Sequence, residues 1–183
     1  MERTHASTEE PTKKPLVATF VISESAQNYF NALRKQHFPP ERNYLDAHLT
    51  IFHALPDEPW IVEDMQALVE TQQPFEANVQ SIQSLGGGTA FKIVSPELPI
   101  LHQKLQKKWF DFLTKQDQQK RNFHITVQNK VESPVAKQLQ AELAKDFEPF
   151  SFTVYGIKLW RYHNGPWEFL MKLDFAGQSA ANK

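Results

Sequence analysis

The 183-residue chain contains no cysteine, which excludes disulfides and thiolate metal sites. It also lacks any apolar run approaching the roughly 20 residues of a membrane-spanning helix. Charge of one sign is missing too: 20 basic and 21 acidic residues leave a formal net charge of −1. That balance argues against a protein that coats long DNA or RNA with a broad basic surface. It remains compatible with a small anion, or with an RNA end held in a local basic cleft. The opening MERTHASTEEPTKK has no apolar centre of the kind a signal peptide needs, so a cytoplasmic location is expected. There is no H-x-x-x-H spacing and no acidic–histidine cluster, so neither a metal nor another cofactor is expected. Glycine is scarce at six residues, and Gly86-Gly87-Gly88 lacks the lysine and the strand-to-helix setting of a phosphate loop; it reads as a turn.

What is present suits a packed domain. Hydrophobic residues make up 40% and charged residues 22% of the chain, enough apolar surface for a core. The polar stretches 1–14 and 177–183 read as disordered tails around one domain spanning 15–176. PLVATFVI (15–22) reads as a strand, and Ser23 as the N-cap of a helix stopped by Pro39-Pro40. DAHLTIFHAL (46–55) is a strand pattern. EPWIVEDMQALVETQ (58–72) is a helix pattern with Ile61, Met65, Leu68 and Val69 on one side. PFEANVQSIQSL (74–85), the triple glycine and TAFKIVS (89–95) form a predicted hairpin. Leu98, Leu101, Leu105, Trp109, Phe112 and Leu113 stripe the longest predicted helix, 96–115. FHITVQNKV (123–131) is a further strand, and Ser133-Pro134 opens a helix to about Phe147. FSFTVYGIKLWRYH (150–163) and PWEFLMKLDF (166–175) are strands joined through Asn164-Gly165.

A repeat emerges from this order. From HLTI (48–51) to the Gly86 turn, and from HITV (124–127) to the Asn164 turn, the runs are nearly equal in length. Each passes through His-strand, helix, strand, glycine-containing turn and strand. The fold expected is α+β: a bilobal duplicated unit, with two antiparallel sheets facing a central cleft and helices outside. The two histidine strands would then be related by a pseudo-two-fold axis.

Alternation along an extended strand turns His48 and Thr50 to one face, and likewise His124 and Thr126. Leu49, Ile51, Ile125 and Val127 take the packed face. Two imidazoles and two hydroxyls around one cleft suit attack on a phosphodiester. One neutral imidazole removes a proton from the nucleophile, while the other, protonated, supplies the leaving oxygen. Both roles need a pKa near working pH, about 6.5 for an unperturbed histidine. The threonine hydroxyls are placed to donate to non-bridging oxygens.

HLTI and HITV resemble the paired His-x-Thr-x motifs of the two-histidine (2H) phosphoesterase superfamily, and most of all its bacterial 2′-5′ RNA ligase-like branch. The resemblance spans residues 15–175, and QNKV (128–131) and LWRYHNGPWEF (159–169) also look like that branch. It implies 2′,3′-cyclic phosphate hydrolysis or 2′-5′ linkage chemistry on a nucleotide or RNA end, without metal or nucleotide cofactor. His48 and His124 take the catalytic roles, Thr50 and Thr126 the phosphate-binding ones. His124 as base and His48 as acid is one assignment of a nearly symmetric pair. Some relatives carry an arginine just after the second motif, where this chain has Gln128-Asn129-Lys130, so further phosphate recognition and ligation stay open.

Each of these residues also has a bland reading. A lone strand histidine is usually structural, and threonine favours strands anyway; the duplication of both is what favours function. Strand parity adds Phe52, Gln128 and Lys130 as cleft-lining candidates, and Tyr162 as a base platform. Phe52 is equally fit to cap the core, Lys130 to end a strand in solvent, and Trp160 and Trp167 to pack. His53 falls on the face opposite His48 unless a bulge intervenes. His5, His37 and His102 carry no assigned role. Lys104, Lys107 and Lys108 read as a solvated helix face, or as a guide for RNA. The rival reading is a non-catalytic nucleotide or RNA-end binding module of the same fold. A monomer is expected.

Overall fold

The computed structural model describes residues 13–177. Of the expected N-terminal tail, only Lys13 and Lys14 fall in that range. Lys13 Nζ donates to Glu58 and to the Asp57 carbonyl, and Lys14 Nζ lies 2.9 Å from His163 Nδ1. Residues 1–12 and 178–183, the rest of both expected tails, lie outside the described residues.

Among the described residues seven strands and four α-helices follow one another as β1 (Leu16–Ile22), α1 (Glu24–His37), β2 (Leu49–Leu55), α2 (Pro59–Thr71), β3 (Phe75–Ser84), β4 (Thr89–Val94), α3 (Glu97–Trp109), β5 (His124–Gln128), α4 (Ser133–Asp146), β6 (Phe150–Tyr162) and β7 (Trp167–Asp174). Every pairing is antiparallel. α1 ends where Pro39 and Pro40 forbid continuation, and α2 and α4 begin with proline in the first turn, where its missing N–H costs nothing. α3 stops at Trp109 and gives way to a short 3₁₀ turn, Phe110–Phe112, shorter than the pattern suggested.

Instead of two separate sheets there is one continuous sheet, ordered β1-β2-β5-β4-β3-β6-β7, and β1 also pairs with β6. Six strands thus close on themselves as in a barrel, with β7 added outside β6. Closure removes the unpaired edges that two separate sheets would leave. The chain order β-α-β-α-β runs twice, β1 to β3 and β4 to β6. The glycine turn at 86–88 joins those two runs, rather than lying inside one of them. In the ring β2 sits beside β5, with β1 and β4 flanking them and β6 pairing β3 opposite.

The core lies on the face of these strands that the helices cover. Leu16, Ala18, Phe20 and Ile22 of β1 join Leu49, Ile51, Phe91, Ile93, Ile125 and Val127. Phe30 on α1 packs edge-on to Phe91 and Phe152. Leu98, Leu101, Leu105 and Trp109 of α3 close another part, as their spacing requires.

A bulge follows each motif threonine. Thr19 pairs with Thr50 but Ala18 with Phe52, so β2 carries an extra residue, Ile51. Ala90 pairs with Thr126 but Thr89 with Gln128, so β5 carries Val127 in the same way. Each bulge flips strand parity and turns the next residue inward. Two expected cleft residues are therefore not in a cleft. Phe52 is fully buried, stacked 4.9 Å from His102 and tilted against Trp109 with ring centres 5.4 Å apart. Gln128 is buried, accepting at Oε1 from Thr89 Oγ1 at 3.0 Å. Simple alternation predicts neither, because it assumes a regular strand. Phe52→Ala is accordingly expected to act on stability, costing about 3–5 kcal/mol. Urea unfolding measures it; a loss under about 1 kcal/mol with a raised KM would return Phe52 to the cleft.

Candidate active site

The two motifs meet at the seam between β2 and β5. These strands share a single registered pair, Leu49 with Ile125. Extending that antiparallel register sets His48 opposite Thr126, and Thr50 opposite His124. Opposed residues share a face, so both histidines and both threonines lie together on the face away from the core. Thr50 is buried and the other three are half-buried. Among the described residues neither motif hydroxyl is engaged by another protein group.

The two imidazoles are held identically. His48 Nδ1 lies 2.8 Å from the carbonyl of Asp46, and His124 Nδ1 lies 2.8 Å from the carbonyl of Asn122. A carbonyl only accepts, so Nδ1 of each ring carries the hydrogen and Nε2 is left for another partner. His48 also lies against Trp167, ring centres 4.6 Å apart. Burial, together with the charges of Arg34, His53 and His124, pushes His48 down to about 4, against the raising effect of its Asp46 bond. Burial and the charges of Arg121 and His53 also lower His124, its bond to Asn122 opposing.

The charges that depress these rings come from residues whose role no sequence pattern announced. Past the single pair, β2 and β5 diverge, and each motif threonine turns its carbonyl to an arginine. Arg34 Nη1, from α1, donates to the Thr126 carbonyl at 3.1 Å, while its Nε donates to Asn43 Oδ1 at 2.8 Å. Its guanidinium rests 4.0 Å from the Phe38 ring centre. Arg121 Nε, from the loop before β5, donates to the Thr50 carbonyl at 3.2 Å. Burial pulls Arg34 down to about 10, with Asp46 opposing, and it lowers Arg121 with Asp117 opposing. Among the described residues neither guanidinium has a carboxylate within ion-pair distance. Two partly desolvated cations, one lowering His48 and the other His124, make this seam favourable to an anion. The sequence motif offers no arginine for this; the fold brings two from elsewhere.

His53 is the third residue that regular strand parity misplaces. With the bulge at Ile51 it returns to the face of His48 and Thr50, and its Nδ1 lies 3.2 Å from Asp117 Oδ1. On the His48 side a cavity of about 280 Å³ is walled by Tyr44, Asp46, His48, Lys158, Trp160 and Trp167. Trp160 is fixed there by its indole N–H, which donates to Thr19 Oγ1 at 3.0 Å. Tyr162 sits two residues beyond Trp160, opposite Trp167 and outside this wall. Lys130 also departs from expectation: β5 ends at Gln128, and Lys130 follows in a left-handed turn, φ 60°, exposed to solvent. Strand parity does not reach it. Among the described residues no group of three or more histidine, aspartate or glutamate side chains is arranged to hold a metal ion. No described helix is long and apolar enough to cross a membrane.

The family model described as the 2′-5′ RNA ligase superfamily matches residues 22–166. Solved structures of similar fold include TT0787 of Thermus thermophilus, with TM-score 0.62 and 16% identity over 90% of this chain and 99% of that one. E. coli LigT in apo form follows, with TM-score 0.58 and 16% identity over 90% and 99%. E. coli LigT complexed with 3′-AMP gives 0.57 and 14% over 88% and 98%. No curated protein matches the chain in sequence. At such identities the structural likeness speaks for the fold.

Desolvation of two imidazoles, His48 and His102, carries a stability consequence. His102, like His48, is pushed to about 4, by burial first and Arg121 second. The unfolded chain binds protons at these positions from about pH 6.5 downward, the folded one only near 4. Stability should therefore fall as pH drops from about 6.5 towards 4. His102→Met should flatten part of that slope in urea titrations at several pH values. An unchanged slope would show that His102 titrates normally.

Proposed function

The chain belongs to the 2′-5′ RNA ligase superfamily, the two-histidine phosphoesterases, and we propose on that premise that it is a metal-independent phosphodiesterase hydrolysing 2′,3′-cyclic phosphates or 2′-5′ linkages of nucleotides or RNA ends. The observation that supports this best is the matched pair of imidazoles, each fixed through Nδ1 by a main-chain carbonyl, on adjacent strands whose motif threonine carbonyls accept from two arginines. LigT structures solved with 3′-AMP, NADP+, ATP and phosphate agree with a nucleotide as ligand.

In this reading the phosphoryl group sits between the two Nε2 atoms. One imidazole takes a proton from water as its oxygen bonds phosphorus. The bond from phosphorus to one ribose oxygen breaks, and the other imidazole delivers its proton to that oxygen. A phosphomonoester and a free hydroxyl result. The Thr50 and Thr126 hydroxyls donate to the non-bridging oxygens, where negative charge concentrates. The aromatic-walled cavity beside His48 is the natural seat for the nucleoside, with ring faces to stack on and a lysine nearby. That puts the leaving ribose oxygen on the side of His48, making His48 the acid and His124 the base. The bound anion supplies the counter-charge that lets a ring depressed in the free site hold its proton.

His48→Ala and His124→Ala should each reduce hydrolysis of a nucleoside 2′,3′-cyclic phosphate by at least about 10³-fold with folding intact. Wild-type activity should survive EDTA. Tight binding of product without turnover on a broad panel of cyclic phosphates and 2′-5′ dinucleotides would favour a binding module instead.

The pH profile gives a separate check. Productive enzyme carries one proton on the pair, and both free-site pKa values lie below 6.5. kcat/KM should peak below about pH 6.5 and fall about tenfold per unit at higher pH. A maximum above about pH 7.5 would contradict the electrostatics described.

A further inference from the structure

One group on the catalytic face has no role in the chemistry above. His53 lies five residues beyond His48, a spacing that would turn it away in a regular strand. The bulge at Ile51 restores it: Phe52 goes inward opposite Ala18, and His53 turns to the face of His48 and Thr50. Its ring is half-exposed, and its charge lowers both His48 and His124, so it stands near both.

The ring is also held. Asp117, buried in the loop between α3 and β5, receives the His53 amide at 3.0 Å and the Ala54 amide at 2.9 Å. Those two bonds satisfy the backbone donors that the irregular end of β2 leaves unpaired, and that alone is a structural task. The same carboxylate accepts a third bond, from His53 Nδ1 at 3.2 Å. Capping the backbone does not require this last contact. It fixes the tautomer and the ring plane, and leaves Nε2 to the open face, an orienting device like that of a carboxylate behind a ligating histidine. Asp117 is itself anchored: its amide donates to Thr114 Oγ1 at 3.3 Å, and its carbonyl accepts from Gln106 Nε2 at 3.0 Å.

We propose that His53, oriented by Asp117, is a third imidazole that contacts the substrate: as an imidazolium it keeps its Nδ1–H on Asp117 and donates from Nε2 to a non-bridging oxygen of the phosphoryl group held between His48 and His124. The inference rests on the reading of this cleft as a phosphoester site. It assigns His53 to binding the anion and Asp117 to positioning, and it needs no proton transfer by either. It also makes the two sides of the seam unequal, since the position five beyond His124 is Asn129, whose Oδ1 accepts from the Lys130 amide.

The test uses inorganic phosphate as the probe, with His53→Phe and His53→Gln in the full chain. Calorimetry should show phosphate binding weakened about tenfold in His53→Phe, the size of one lost hydrogen bond to a charged group. Substantial recovery is expected in His53→Gln, whose amide again offers a donor. On a nucleoside 2′,3′-cyclic phosphate, KM should rise by a similar factor with kcat changed far less. Asp117→Asn should weaken phosphate binding less than His53→Phe does while lowering the unfolding midpoint more. Wild-type phosphate affinity in His53→Phe, with or without lost stability, would overturn the proposal and leave His53 a structural residue. Wild-type phosphate binding without turnover of any cyclic phosphate would remove the proposed function and leave the His53 contact standing if the affinity pattern holds.

Discussion

The seam between β2 and β5 is the constraint on which the rest depends. A closed sheet needs these strands together, yet they share one registered pair, Leu49 with Ile125. Longer pairing would use the threonine carbonyls within the ladder. Here those carbonyls go to arginines, Thr126 to Arg34 and Thr50 to Arg121. The sheet is closed enough to fix the four motif side chains on one face. It is open enough to leave them a gap, and the groups that satisfy the diverging backbone are cations. One local departure from regular pairing thus supplies geometry and electrostatics together.

The two bulges serve the same end. Each comes directly after the motif threonine and turns the following side chain into the core, Phe52 on one strand and Gln128 on the other. The functional face is thereby cut to His-x-Thr on each strand, and the strand beyond is free to bury its next residue. Phe52 uses that freedom to stack on His102 and pack against Trp109, joining the motif strand to α3. A site built this way is held by the core, and its rings have little room to reorient. The fixed Nδ1–carbonyl bonds act in the same direction: they determine which nitrogen faces the cleft before any ligand arrives.

Much of this is legible in the chain. The element order, the strand and helix patterns, the two His-x-Thr-x motifs and their family all follow from periodicity, punctuation and repetition. What is not legible shares a physical cause. Strand parity carries a prediction only while the strand is regular, so one inserted residue on each strand, Ile51 or Val127, moves Phe52, Gln128 and His53 to the faces opposite those expected. Lys130 escapes the pattern because β5 ends before it. Sheet closure depends on β1 pairing with both β2 and β6, a long-range choice that local patterns do not encode. Arg34 looks like any basic residue late in a helix, and Arg121 like any loop residue. Their importance lies in carbonyls far away in sequence, at Thr126 and Thr50.

In the proposed reaction both Nε2 atoms address the same phosphorus. A crystal structure of the wild-type protein with bound inorganic phosphate addresses it most directly. One phosphate is expected to bridge the seam, with His48 Nε2 and His124 Nε2 each about 2.7–3.2 Å from its oxygens and both threonine hydroxyls in contact. A phosphate held by only one histidine, or bound away from the seam while both rings stay apart, would contradict it.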